Sequence, residues 1–194
     1  MAPHSSTVCV STFSIVCLGG SAGSLNAYVD ILKRLQTDTG MAFVVVCHRH
    51  TQHSHALRDV LSSVTNMAVT DVEDGMRLIP NTVFLAPPGL DMTLQAELFR
   101  LTPVIARRGW PRTVSTFLVS LAESAGTRAI AVILSGKDHD GSSALSAIRA
   151  AGGTTIAQAD ARSPEMPAAA LATGCVDWFL PSTDIADRLM EMAE

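Results

Sequence analysis

Short, uninterrupted apolar runs recur along this chain, each ended abruptly by glycine or a polar cluster and followed by helical periodicity. Residues 14–18, 43–47, 129–134, 154–157 and 176–179 read as strands of this kind. They lack the in–out alternation of a sheet with one wet face, so both faces must be covered, as in a parallel sheet layered with helices. Helical spacing over 24–35, from Ser54 to about Ser62, over 113–124, 142–151 and 167–173, and from Ser182 onward supplies those layers. Ser182 and Thr183 are candidate N-caps of the last helix, with Asp184 in its first turn. Between residues 76 and 101 the pattern changes. Runs at 76–78, 83–85, 92–95 and 98–101 are split by Pro80-Asn81, Pro87-Pro88-Gly89 and Ala96-Glu97, which predicts antiparallel hairpins inserted into, or at the edge of, the main sheet. The expected fold class is α/β: a doubly wound, mostly parallel sheet flanked by helices, with an antiparallel hairpin portion. Residues 1–12 are polar and Ser/Thr-rich and read as a loose tail, leaving 13–194 as one domain.

Composition narrows the function classes. Apolar residues make up 47% and charged residues 16% of the 194, enough to bury a full core and far from a disordered composition. A net charge of −4 and a pI near 5.8 provide no basic surface, so a charge-driven nucleic-acid role is disfavoured. Polar residues interrupt every apolar run before it reaches membrane-spanning length, and residues 1–11 lack the order of a secretory signal. Cys9, Cys17, Cys47 and Cys175 stand singly, mostly inside apolar runs, and read as buried thiols of a reducing compartment. A cytoplasmic protein without membrane insertion is the expectation.

In open parallel sheets, ligand-binding and reactive groups collect beyond the carboxyl ends of the strands. The residues just past those ends are Gly19-Gly20-Ser21-Ala22-Gly23, His48-Arg49-His50, and Ser135-Gly136-Lys137-Asp138-His139-Asp140-Gly141. A serine, a histidine and an aspartate therefore emerge at one edge. The first segment fits the G-x-S-x-G strand–turn–helix pattern, in which small neighbours allow a tight turn that lifts the hydroxyl out of the sheet. A phosphate-cradling glycine turn is the competing reading, but the Gly-x-Gly-x-x-Gly spacing and a Gly-Lys-Ser/Thr ending are both missing.

A serine hydroxyl needs an imidazole to take its proton, and the imidazole needs a carboxylate to fix its tautomer and stabilise its cation. His48 is the best-placed base. The alternative is a zinc site built from His48, His50, His53 and His55, for which no carboxylate or cysteine partner stands at helical spacing. Asp138 and Asp140 both qualify as the orienting acid, and each could instead cap the helix that starts near Ser142. Asp138 is the one expected to face solvent. The order Ser21, His48, aspartate differs from the serine, acid, histidine order of α/β-hydrolases.

Further motifs follow in sequence: Cys47-His48, Glu73-Asp74-Gly75, Val83-Phe84-Leu85-Ala86-Pro87-Pro88-Gly89, Ile133-Leu134-Ser135-Gly136 before Asp140-Gly141, 152–158 from Gly152 to Gln158, and Met166-Pro167. With Gly19 to Gly23, they make the chain from about Val16 onward resemble the catalytic domain of the protein-glutamate methylesterases of bacterial chemotaxis. The resemblance implies Ser21 as nucleophile, His48 as base and Asp140, rather than Asp138, as the orienting carboxylate. It implies hydrolysis of γ-glutamyl methyl esters on the cytoplasmic helices of methyl-accepting chemoreceptors, with glutamine deamidation in some members, and no metal or organic cofactor.

The chain departs from the family pattern at several positions. Ala22 stands where threonine is frequent, Lys137 where methionine is usual, Arg49-His50 where Met-Pro is usual, and Ser115 where an aspartate is usual near Val114. The segment between Gln158 and Met166 is also shorter than the family's. Ala22 and Lys137 are the candidate oxyanion or substrate-site residues. Their replacement motivates two alternatives: a family member that binds receptors or signalling partners without catalysis, or an esterase for another substrate. Many members carry an N-terminal receiver domain, for which the stretch before the first strand is too short, so a stand-alone esterase or an excised domain is expected.

Overall fold

The computed structural model describes residues 12–47, 54–104 and 112–193. The expected N-terminal tail falls on residues 1–11, outside them. Nine strands and six helices are described: β1 (Ile15–Gly20), α1 (Leu25–Arg34), β2 (Ala42–Cys47), α2 (Ser54–Val64), β3 (Ala68–Asp71), β4 (Thr82–Leu85), β5 (Leu90–Gln95), β6 (Leu98–Pro103), α3 (Thr113–Ala125), β7 (Ala129–Ile133), α4 (Leu145–Ala150), β8 (Thr154–Gln158), α5 (Glu165–Ala172), β9 (Trp178–Leu180) and α6 (Ser182–Glu191). Seven strands form one sheet in the order β3-β4-β2-β1-β7-β8-β9, and every pair in it is parallel. Strands β5 and β6 form a separate antiparallel hairpin.

The all-apolar strands do what their sequence requires. Successive side chains point to opposite faces, so Val16 and Leu18 pack on one side while Ile15 and Cys17 pack on the other. The first face is covered by α1, α2 and α6 through Tyr28, Ile31, Leu61, Ile185 and Leu189. The second is covered by α3, α4 and α5 through Phe117, Leu118, Leu145, Ile148 and Met166. The sheet is thus doubly wound, as expected.

The hairpin is tied to the second layer by aromatic packing. Phe99 of β6 lies 5.0 Å from Phe84 of β4 and 6.5 Å from Phe117 of α3, centroid to centroid. Each such pair contributes about 0.5–1.5 kcal/mol beyond the area it buries.

Several local expectations are corrected. Residues 83–85 belong to the parallel sheet, as β4, and not to a hairpin. The prolines and glycines around that run mark loops leading into and out of a buried parallel strand, a context indistinguishable from hairpin turns in the sequence. Residues 76–78 form no strand and contribute only an antiparallel bridge between Arg77 and Leu98. Strand β3 gave no signal, because an edge strand reading Ala-Val-Thr-Asp has no apolar run. Ser182 and Thr183 lie inside α6, after Pro181, with no side-chain cap bond. The Ser182 hydroxyl is drawn instead to the carboxylates of Asp30 and Asp160, at 3.1 and 3.2 Å.

Candidate active site

The chain runs from β1 outward through β2 to one edge, then returns to place β7 on the other side of β1. The order therefore reverses at β1, and the crevice beyond the carboxyl ends of β1 and β7 is the topological switch point, where such sheets bind ligands. Ser21 follows the last residue of β1, and Lys137, Asp138 and Asp140 lie in the loop after β7. Strand β2 ends at Cys47, which pairs with Gly20. His48, the next residue, lies outside the described residues, as do His50, His53 and the side chain of His55.

The loops after β1 and β7 are locked together. The Ser21 amide donates to the Ser135 carbonyl at 2.9 Å, and the Ser135 hydroxyl donates to the Ala22 carbonyl at 2.9 Å. The same hydroxyl accepts the Ser163 amide at 2.9 Å, which brings in the segment leading to α5. The Ser135 amide donates to Oε1 of Gln158 at 2.9 Å, and Gln158 Nε2 donates to Asp160 at 2.9 Å. Ser135 is fully buried, so these partners rather than water satisfy it.

Two glycines permit this approach. Gly23 has a φ of +81°, the left-handed region, and a Cβ there would lie 2.9 Å from the Ser135 hydroxyl. A Cβ at Gly136 would stand 3.0 Å from the Cβ of Ser21 and would run into the sulfur of Met166. Only a bare backbone passes between Ser21 and Met166.

Asp140 is held as a buried anion, 6% exposed. Its Oδ2 accepts the Val114 amide at 2.8 Å, and its Oδ1 accepts the Ser115 amide at 2.9 Å, the Ser115 hydroxyl at 2.6 Å and the Gly141 amide at 2.8 Å. Asp140 therefore caps the N-terminus of α3, a helix distant in sequence, and not the helix that begins after it. The first-turn amides and the positive end of the helix dipole favour its negative charge. Cys17, wholly buried on β1, lies close enough to be affected by that charge. Burial first, and then the Asp140 charge, push its thiol well above the ordinary range.

The other candidates separate clearly. Asp138 is buried at 4% exposure, against the expectation that it faces solvent, and its Oδ1 accepts the Asp140 amide at 2.8 Å. It braces the loop from within. Lys137 and Ala22 are exposed. The Ser21 and Gly136 amides are committed to the Ser135 and Ser163 carbonyls, whereas the Ala22 and Lys137 amides donate to no partner among the described residues. Ser115 also lines an open cleft between β5 and α3, with Thr93, Gln95, Arg112 and Val119.

Sequence reasoning missed Ser135, Ser163 and Gln158 as the clamp on the serine turn. The available signal was a serine two residues past the end of β7, in register with Ser21 after β1.

Fold and site together define a doubly wound α/β protein with a strand-end serine and a helix-capping aspartate at the switch point. The chain belongs to the CheB methylesterase family, whose model matches residues 16–189. It is 44% identical over 123 residues to an uncharacterized 104.1 kDa protein of Rhodobacter capsulatus, a match covering 62% of this chain and 13% of that one. It is 30% identical over 184 residues to a protein-glutamate methylesterase/protein-glutamine glutaminase of Carboxydothermus hydrogenoformans, covering 90% of this chain and 54% of the relative. The crystal structure of the Thermotoga maritima CheB methylesterase catalytic domain superposes with a TM-score of 0.88 at 27% identity, covering 94% of this chain and 100% of that one. The chain spans about half the length of the curated methylesterase relatives it matches.

Proposed function

We propose that the protein is a protein-glutamate methylesterase, a serine hydrolase that demethylates γ-glutamyl methyl esters on the cytoplasmic helices of chemoreceptors. Residues 13–194 form its catalytic unit, and it acts in the cytoplasm. Deamidation of receptor glutamines is a second reaction of the same site, in keeping with the double name of the curated relatives.

In this reading the Ser21 hydroxyl attacks the ester carbonyl while His48 takes its proton. Asp140 orients the imidazole and stabilises its cation. Oδ1 already carries three donors, so the histidine N–H is assigned to Oδ2. The Ala22 and Lys137 amides receive the oxyanion, since the neighbouring Ser21 and Gly136 amides are spent on the clamp. Methanol leaves with the proton returned by His48, and water then hydrolyses the acyl-serine by the same relay. No metal or organic cofactor takes part.

The observation that carries the proposal is the anchoring of Asp140 by α3 within the loop clamped to the Ser21 turn, in a chain of this family. Methanol release from methylated receptor membranes, compared between the wild type, Ser21→Ala and His48→Ala, tests it. Release by the wild type with loss in both variants is expected; equal release by Ser21→Ala overturns the proposal. Labelling of Ser21 by a fluorophosphonate, with no methanol released, would point to an esterase for another substrate.

A further inference from the structure

We propose that Ser115 is a positioning residue for Asp140: its hydroxyl holds the plane of the carboxylate and so fixes the direction of the oxygen that accepts the Val114 amide. The inference rests on the mechanism proposed above.

A carboxylate held only by two helix amides can rock about its last side-chain torsion, which is broad and two-fold. The Ser115 hydroxyl removes that freedom. It donates to Oδ1 at 2.6 Å, the shortest of the contacts Asp140 makes among the described residues. The same oxygen accepts the Gly141 amide at 2.9 Å, and that amide also reaches Oδ1 at 2.8 Å. Ser115 Oγ, Asp140 Oδ1 and the Gly141 N–H thus close a three-membered ring of hydrogen bonds. The ring joins the first turn of α3 to the residue after Asp140.

Turning the carboxylate plane away from this orientation would break all of these bonds at once, whereas a full half-turn regenerates them because the two oxygens are equivalent. Ser115 is 6% exposed, so water does not readily replace its hydroxyl. Oδ2 carries the Val114 amide and is the oxygen left to orient the base. The charged and titratable groups around the carboxylate among the described residues include Asp138 on its own loop and Cys17 on β1, while Arg112 stands just before α3. Arg112 is turned to the Ser143 hydroxyl at 3.1 Å.

Steady-state methanol release by Ser115→Ala and Ser115→Thr, together with amide exchange at Val114 and Gly141, tests the assignment. Ser115→Ala keeps the backbone donor and removes only the hydroxyl. It is expected to lower kcat about tenfold with KM within about twofold, because orientation of the base matters in the transition state and not in substrate binding. Val114 and Gly141 amide exchange should quicken about tenfold as the carboxylate plane rocks more widely. Ser115→Thr, which retains the hydroxyl, should restore both.

A lowered melting temperature with kcat unchanged in Ser115→Ala would mark a purely structural role and overturn the inference. So would exchange at Val114 and Gly141 identical to the wild type. If Ser21→Ala released methanol as the wild type does, the methylesterase reading would fail, and the exchange measurement would still decide whether Ser115 fixes Asp140.

Discussion

The Ser135 hydroxyl donates to the Ala22 carbonyl at 2.9 Å while accepting the Ser163 amide at 2.9 Å, so one buried oxygen holds the turn after the candidate nucleophile. Ser135→Ala removes a donor and an acceptor together and leaves the Ser163 amide short of its side-chain partner. A loss of about 1–3 kcal/mol is expected, or a melting temperature lower by roughly 2–10 °C for a domain of this size. Catalysis should fall about tenfold or more as the turn loosens. Thermal unfolding and methanol release, measured on one preparation, check both; an unchanged rate would show that the Ser21 turn is held by its backbone contact to Ser135 alone.

Gly136 is expected to tolerate no side chain. A methyl group there meets the buried Met166 sulfur and stands 3.0 Å from the Ser21 Cβ. Overpacking of this kind costs about 1–3 kcal/mol, and displacing a reacting group by about 1 Å can cost on the order of 10²-fold in rate. Gly136→Ala should therefore lose activity out of proportion to stability. Adding Met166→Ala should recover stability by opening space on one side; kinetics of the single and double variants would show whether the contact with Ser21 persists.

The sheet was legible because strands buried on both faces must be apolar throughout, and those flanking the switch point, at 15–20, 42–47 and 129–133, are. The strand-end placement of Ser21 and of the loop carrying Asp138 and Asp140 was legible because polar residues interrupt such runs there, and the family resemblance implied Asp140 of the two. The partners of the aspartate were not. That Asp140 caps α3 is set by the packing of a helix starting at Thr113, twenty-odd residues upstream, and no local pattern announces it. Asp138 was misjudged for a related reason: a loop that folds back to brace its own backbone buries a polar residue that a linear reading assigns to solvent. The placement of 83–85 failed because proline and glycine mark loops without revealing what the loops connect.

Asp140→Asn should separate charge from shape. The amide can still accept from one side, but its NH2 group opposes the helix amides of Val114 or Ser115, and the negative charge at the end of α3 is gone. Stability should drop by about 1–2 kcal/mol from the weakened cap and helix dipole. The rate should drop by about 10²–10⁴-fold, because a base without its carboxylate takes the wrong tautomer. Denaturant melts and kcat measured together check the pair of effects, and a rate within a few-fold of wild type would remove Asp140 from the mechanism.

Cys17 predicts an alkaline limit to stability. Its thiol is pushed above the ordinary range by burial and then by the Asp140 charge, so the folded chain keeps the proton at pH values where the unfolded chain has released it. A group raised in the folded state contributes its full stabilisation below the unfolded thiol pKa of about 8.5 and loses it progressively as pH rises toward the folded value. Stability should therefore decline above about pH 8.5, by at most roughly 1.4 kcal/mol per pH unit from this group. Urea titrations from pH 7 to 10 on the wild type and Cys17→Ala measure that slope. The variant should be less stable at neutral pH, from the lost packing of β1 against the α3 layer, yet flatter above pH 8.5. Equal slopes in the two proteins would mean that another group governs the alkaline limb.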